Sequence, residues 1–350
     1  MSLGEAPPAQ AGPAARSVCR RFGVCLLVLL AVDQAVPALL RRAEARHYES
    51  DAPLRFKSFD LFPLGPLTDY LREHPVGPMP RTGFFGNSVM WGYLLDGPQT
   101  ISCAFARLAP EARVLDFSAA GFQGASSYLI AKRVVDDLDA FYIYIDKRTD
   151  HGDTHPLLPK VIAISEADAA AFGLKVAGPG RRALDRLAGV WKLRRDSYRL
   201  QAAWFGTSTQ QAIRLWAEAL FNRLKAPADR GAAVGVAPRE QARWHAPADA
   251  APISDEERAR LAAAHPVVWR FAQLLAEHHR PGVFFQFAGP TQPIAEAELP
   301  AFNAAFDGIT IATLTMPAGW YQDDGVHVTA KGAEGIARAL RDHARLRRPD

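Results

Sequence analysis

Cysteine is scarce in this chain, with three in 350 residues, at positions 19, 25 and 103. Cys19 and Cys25 lie in an N-terminal apolar stretch, which leaves Cys103 alone in the remainder. No disulfide can therefore form within the soluble part, although an oxidising compartment stays open to it. No Cys/His set has the spacing of a structural zinc site. His151, Asp153 and His155 come closest to a ligand set, and in so polar a loop they read as solvated side chains. Neither a metal nor an organic cofactor is expected. Nucleic-acid motifs are missing too. The net charge of +4 is modest. Its arginines are spread over the N-terminal segment, residues 181–199 and the tail at 341–348. That distribution suits solvated helix faces, or attraction to anionic lipid or polysaccharide, and excludes a concentrated nucleic-acid footprint.

Long hydrophobic runs are absent with one exception. Residues 1–15 are rich in Ala, Pro and Gly and have the composition of a disordered tail. Arg16, Arg20 and Arg21 then precede an apolar run over residues 22–40, interrupted by Asp33, Gln34 and Pro37. The run is about as long as a membrane span requires, and its uninterrupted part, 22–32, is the size of a signal-peptide core. The expectation is a basic tail at 1–21 and an uncleaved, single-pass signal anchor at 22–40 in the inner membrane. A signal peptide cleaved near Val36-Pro37-Ala38 and a buried or interfacial helix are the alternatives. Basic residues are as dense after the run as before it, so charge asymmetry gives no strong orientation. The preferred orientation keeps the short basic tail in the cytoplasm and the folded part in the periplasm.

With 49% apolar and 22% charged residues, the rest has the composition of a globular protein with a large core. Residues 41–80 read as a Pro-rich connector with a short helix at 67–73. From Gly83 onward, short β-rich runs alternate with helical patterns: a strand ending at Phe85, a helix to about 108, a strand at 113–117, a helix at 126–138 and a strand at 141–145. This pattern predicts a parallel sheet whose site opens at the carboxyl ends of its strands. Residues 151–280 interrupt the scheme. There, 181–200 and 210–224 are amphipathic, 226–252 is an Ala/Pro-rich loop, and Ser254-Asp255-Glu256-Glu257 is a capping box. The helix it opens breaks or restarts at His265-Pro266. This stretch reads as a helical insertion, serving as a lid or partner surface. Its Trp191, Trp204, Trp216 and Trp269 fit core positions before they fit sugar or lipid contacts. The sheet pattern resumes at 283–287 and continues through Gly289-Pro290-Thr291, a helix near 295–306 and a strand at 309–314.

Two stretches carry chemistry. In Gly83-Phe84-Phe85-Gly86-Asn87-Ser88-Val89-Met90-Trp91-Gly92-Tyr93, Ser88 falls at a strand-to-helix corner, beside N–H groups that have no intrahelical partner. A serine there can attack a carbonyl while its own N–H holds the oxyanion. It is equally a natural helix N-cap. Near the other end, Asp324-Gly325-Val326-His327 places a carboxylate three residues before a histidine in a tight turn, where it can orient the imidazole as a base.

Together, in this chain order, the two stretches resemble the SGNH (GDSL-like) esterase and acyltransferase superfamily. Its first block, G-D-S-x-x-x-G, is matched by Gly86, Ser88 and Gly92, with Asn87 as a mild departure from its aspartate, and its last, D-x-x-H, by Asp324 and His327. A middle block around an oxyanion-hole glycine is matched at residues 114–124, with Gly121 as that glycine. The block G-x-N-D is not matched. After the strand at 141–145 come Asp146-Lys147-Arg148-Thr149-Asp150, with no asparagine donor; by register Arg148 falls nearest its place.

The resemblance implies an α/β, three-layer sandwich around a central, mainly parallel sheet (SGNH/flavodoxin-like) over residues 81–350, with the helical insertion at about 151–280. It implies Ser88 as nucleophile, His327 as general base and then acid, and Asp324 as orienting carboxylate. The N–H groups of Ser88 and Gly121, with Arg148 as a candidate third donor, would form the oxyanion hole. The expected substrate is an acylated glycan or lipid of the cell envelope, hydrolysed or transacylated, with a membrane acyl-transfer protein as a candidate partner. The style is nearest to membrane-anchored members that O-acetylate polysaccharides. The alternative is a protein that keeps the fold without turnover and serves as a binding or scaffold subunit of an envelope polysaccharide-modification complex.

Overall fold

Five short, largely buried runs pair in parallel: β1 (Arg81–Phe85), β2 (Arg113–Asp116), β3 (Ala140–Tyr144), β5 (Gly282–Phe287) and β6 (Ile309–Thr315). A sixth strand, β4 (Arg243–His245), joins β6 antiparallel at the edge, and the order across the sheet is β2-β1-β3-β5-β6-β4. The computed structural model describes residues 13–48, 79–95, 97–119, 121–150, 164–174, 191, 242–245 and 252–346.

Side chains alternate across the strands, as a pleated sheet requires. Phe85, Leu115, Phe141, Ile143, Phe284 and Ile311 point into one buried cluster. Phe84, Val114, Tyr142, Tyr144, Phe285 and Leu314 point into another. Both faces are covered, which explains why the strands read as continuous apolar runs. The first cluster is closed by α4 (Gly124–Val134), α6 (Asp255–Ala264), α7 (Pro266–Glu277) and α8 (Leu299–Ala305). The second is closed by α3 (Ile101–Leu108) and α9 (Ala330–Leu346). On α9 the buried residues Ala333, Ile336, Ala337 and Leu340 recur at helical spacing and form its core face.

β1 has β2 on one side and β3 on the other. The chain therefore leaves β1 in one direction and returns past it in the other, which opens a crevice at the carboxyl ends of these strands. Ser88 lies immediately beyond the end of β1.

Three differences from the sequence expectation have local causes. The helix expected to run to about 108 is broken. It starts as α2 (Ser88–Trp91), stops at Gly92 with φ 80, and resumes at α3, where Thr100 supplies a new N-cap. The stretch 226–252, read as a loop, contains β4, whose three residues are half exposed or exposed and so lack a strand's apolar signature. Within 151–280, α6 and α7 belong to the layer against the sheet; Val268, Phe271 and Leu275 of α7 are fully buried there. Ser254 caps α6, with the Glu257 N–H donating to its Oγ at 3.2 Å, but the Glu257 carboxylate is taken by Arg260, so only half of the expected capping box is seen. Trp269 packs on Phe302 and Phe306, as a core residue does, whereas Trp191 is exposed. The short α5 (Glu166–Ala171) also lies in this stretch. The helical patterns at 181–200 (Trp191 apart) and 210–224, with Trp204 and Trp216, lie outside the described residues, as does the expected helix at 67–73.

Near the N-terminus, α1 (Pro13–Tyr48) contains a segment, Arg20–Leu39, long and apolar enough to cross a membrane. Its apolar side chains, Phe22 and Leu27 among them, are exposed, while Asp33 and Val36 are buried. By length, composition and place it could be a signal anchor or a signal peptide. Cys25 on it is exposed, and Cys103 in α3 is buried.

His265, at the joint between α6 and α7, is buried between two carboxylates. Its Nδ1 meets Asp150 Oδ2 at 2.9 Å and its Nε2 meets Glu298 Oε2 at 3.2 Å. Arg260 bridges Glu298 to Glu257. Burial by itself would lower the imidazole pKa, but the hydrogen bonds and charges of Asp150 and Glu298 outweigh it and raise the pKa. A raised folded-state pKa stabilises the fold below the unfolded value and loses that contribution as pH climbs through the folded one. Thermal stability should therefore fall as pH rises above the ordinary imidazole value, and His265→Gln should flatten that dependence. An unchanged slope in the variant would show that other groups set it.

Candidate active site

Ser88 is the first residue of α2, and it is not the cap. Asn87 takes that role: its backbone is extended and its Oδ1 accepts the Val89 N–H at 3.0 Å. With the cap supplied by its neighbour, the serine hydroxyl is available for another partner, and His327 Nε2 lies 2.8 Å from Ser88 Oγ.

His327 comes from the loop between β6 and α9, 239 residues away in sequence. One carboxylate shapes that loop. Asp324 Oδ1 accepts the N–H groups of Val326 and His327, each at 2.9 Å, and Oδ2 meets His327 Nδ1 at 2.5 Å. The three-residue spacing lets a single side chain fix both the backbone turn and the ring it orients. The hydrogen bond from His327, then the two backbone N–H groups, lower the Asp324 pKa to about 2. With Nδ1 donating to this carboxylate, Nε2 faces Ser88 as an acceptor. The Tyr93 ring packs against the imidazole, with 4.6 Å between centroids.

Gly121 follows β2 in a loop tied to the nucleophile's turn. The Phe117 N–H donates to Phe84 O at 2.8 Å and the Ala119 N–H to Gly86 O at 3.3 Å. The buried Asp116 braces the same loop, accepting the Ser118 N–H and hydroxyl on Oδ1 and the Ser102 hydroxyl on Oδ2. Gly121 has φ 77, in the left-handed region that a residue with a Cβ adopts only under strain. Among the described residues the N–H groups of Ser88 and Gly121 are left without an acceptor.

Arg148 is exposed and is not drawn into this constellation by any described contact. Asp146 is the residue that turns inward. Its Oδ2 accepts Asn87 Nδ2 at 2.6 Å, its Oδ1 accepts the Arg148 N–H at 2.9 Å, and its own N–H donates to Thr149 Oγ1 at 2.7 Å. This side-chain-closed turn leaves the side chain of Arg148 pointing outward. Asp150 is engaged by His265 instead. Arg148, the candidate third donor, thus lies at the surface, and a carboxylate beside it holds the N-cap residue of α2.

Among the described residues no group of three or more His, Cys, Asp or Glu side chains is arranged to hold a metal ion. His151, Asp153 and His155 lie outside those residues. Sequence reasoning missed the Asn87–Asp146 pair and the brace at Asp116. The Asp-x-Ser spacing at the end of β2 was a readable turn signal; the contact between Asn87 and Asp146 spans 59 residues and left none. No protein-family model matches this chain, and no curated protein sequence does.

Proposed function

We propose that this protein is a serine-dependent O-acyl ester hydrolase or O-acyltransferase of SGNH type, working through an acyl-enzyme at Ser88. One observation carries the reading: the continuous chain Ser88 Oγ–His327 Nε2 and His327 Nδ1–Asp324, with distances of 2.8 and 2.5 Å. Supporting it are the doubly covered parallel sheet, read here as the three-layer sandwich, and the position of Ser88 at its switch point.

Ser88 Oγ attacks the ester carbonyl carbon as its proton passes to His327 Nε2, and the imidazolium that forms is stabilised by Asp324. The carbonyl oxygen becomes an oxyanion facing the N–H groups of Ser88 and Gly121, each donor of this kind being worth roughly 3 kcal/mol. Collapse breaks the ester C–O bond, and His327 returns the proton to the leaving alcohol. Water or a sugar hydroxyl then repeats the sequence on the acyl-serine, giving hydrolysis or transfer. On this reading the envelope side is the working side, with residues 22–40 as the anchor and an acylated glycan or lipid as substrate. A reporter active only in the periplasm, fused after Leu346, should give signal; signal from a cytoplasm-only reporter would overturn that location.

A second reading has its own observation. A carboxylate, Asp146, turns in where the resemblance calls for a side-chain donor. A fold with a weakened oxyanion hole suits a binding or scaffold subunit of an envelope acylation complex. A fluorophosphonate probe separates the two. The enzyme reading expects labelling of wild type that disappears in Ser88→Ala, whereas an unlabelled wild type favours the scaffold.

A further inference from the structure

We propose that Gln322 is the positioning residue that sets His327 against Ser88. The inference rests on the reading of these two residues as base and nucleophile. Gln322 lies five residues before His327, and its half-buried side chain reaches across to the other end of the chain. Its amide Nε2 donates to two carbonyls, Val328 O at 2.8 Å and Tyr93 O at 3.0 Å, the second 229 residues away in sequence. Its backbone N–H donates to His327 O at 2.7 Å, and its own carbonyl accepts the Gly325 N–H at 2.9 Å. The loop 322–328 is thus closed on Gln322 by three bonds, with the Tyr321–Val328 bridge at its base.

The far end of the span is equally well tied. The Tyr93 N–H donates to Ser88 O at 2.9 Å. A path of hydrogen bonds therefore runs from the His327 carbonyl through Gln322 and Tyr93 to the Ser88 backbone. Tyr93 also lays its ring on the imidazole. The next residue, Leu94, is held at φ 61, a backbone conformation that a leucine keeps only where its surroundings over-determine it. The hydrogen bond from Gln322 to the Tyr93 carbonyl is one such constraint.

A carboxamide is the side chain this place needs. It offers two N–H donors from one nitrogen, and both are aimed at carbonyl oxygens. Methionine keeps the length without a donor. Glutamate places oxygen against two carbonyls while ionised and recovers one donor when protonated.

The test compares wild type, Gln322→Met and Gln322→Glu in ester turnover across pH, with fluorophosphonate labelling of Ser88 as a control. Gln322→Met should lower kcat by about 10- to 100-fold with KM within about twofold, as a displaced base does. In Gln322→Glu, the ratio of its kcat to the wild-type value should rise as pH falls through the carboxyl range, a response that a general loss of fold would not give. Wild-type kcat in both variants, or a Gln322→Glu ratio independent of pH, would overturn the assignment. Failure of the underlying reading shows itself separately, as a wild type that neither turns over ester nor labels at Ser88.

Discussion

Ser88→Ala and His327→Ala should each reduce acyl turnover by roughly 10⁴-fold or more, with the fold retained. Ser88 is half-buried at the mouth of the crevice, and removing its Oγ takes away one hydrogen bond and no core volume. The two losses should not add, because either change leaves the other residue without a role. Asp324→Asn should approach the same loss by a different route: an amide facing Nδ1 no longer selects the tautomer that leaves Nε2 as acceptor. Steady-state kinetics on a small acyl ester, with unfolding curves in parallel, check all three. The pH profile adds a constraint. With its pKa lowered to about 2, Asp324 stays ionised throughout the neutral and mildly acidic range. Its stabilising contribution is complete above the ordinary carboxylate value and is lost only as pH falls towards about 2. An acid loss of activity well above that pH therefore does not report on Asp324.

Gly335→Ala should be among the most damaging substitutions that add a single methyl. A Cβ at this position on α9 would stand 2.0 Å from Trp320 Cη2 and 2.2 Å from Cζ3. Trp320 is 1% exposed, so neither the ring nor the helix has free space to yield into. Overpacking of this kind costs about 3 kcal/mol. The damage should reach the site, because Trp320 begins the loop that carries Asp324 and His327, and its carbonyl accepts the Thr329 N–H at 2.8 Å. Urea unfolding should show a lower midpoint with an unchanged slope, and activity should fall with it. A wild-type midpoint would mean that α9 can lift from the tryptophan at little cost.

The parts of this arrangement that were legible in the sequence are those written in local patterns. Phe284, Phe285 and Phe287 announce a strand covered on both faces. The Asp324–His327 pair was legible because its geometry is closed within four residues. Ser88 was ambiguous between cap and nucleophile, since both use the same corner; the Oδ1 of Asn87, which decides it, looks in sequence like a minor departure from a motif. Register alone brought Arg148 towards the site, and the inward turn of Asp146 removed it. Gln322 was invisible for a physical reason: its partner carbonyls are backbone atoms, and backbone acceptors leave no residue signature. β4 was hidden because an edge strand with exposed residues has no apolar period to read.

The most direct measurement of the central claim is the mass of the protein after brief reaction with an activated acyl ester and an acid quench. Wild type should carry one added acyl group, which peptide mapping places on Ser88, and Ser88→Ala should carry none. His327→Ala should gain it only slowly. An acyl group on another residue, or equal acylation of wild type and Ser88→Ala, would contradict the account.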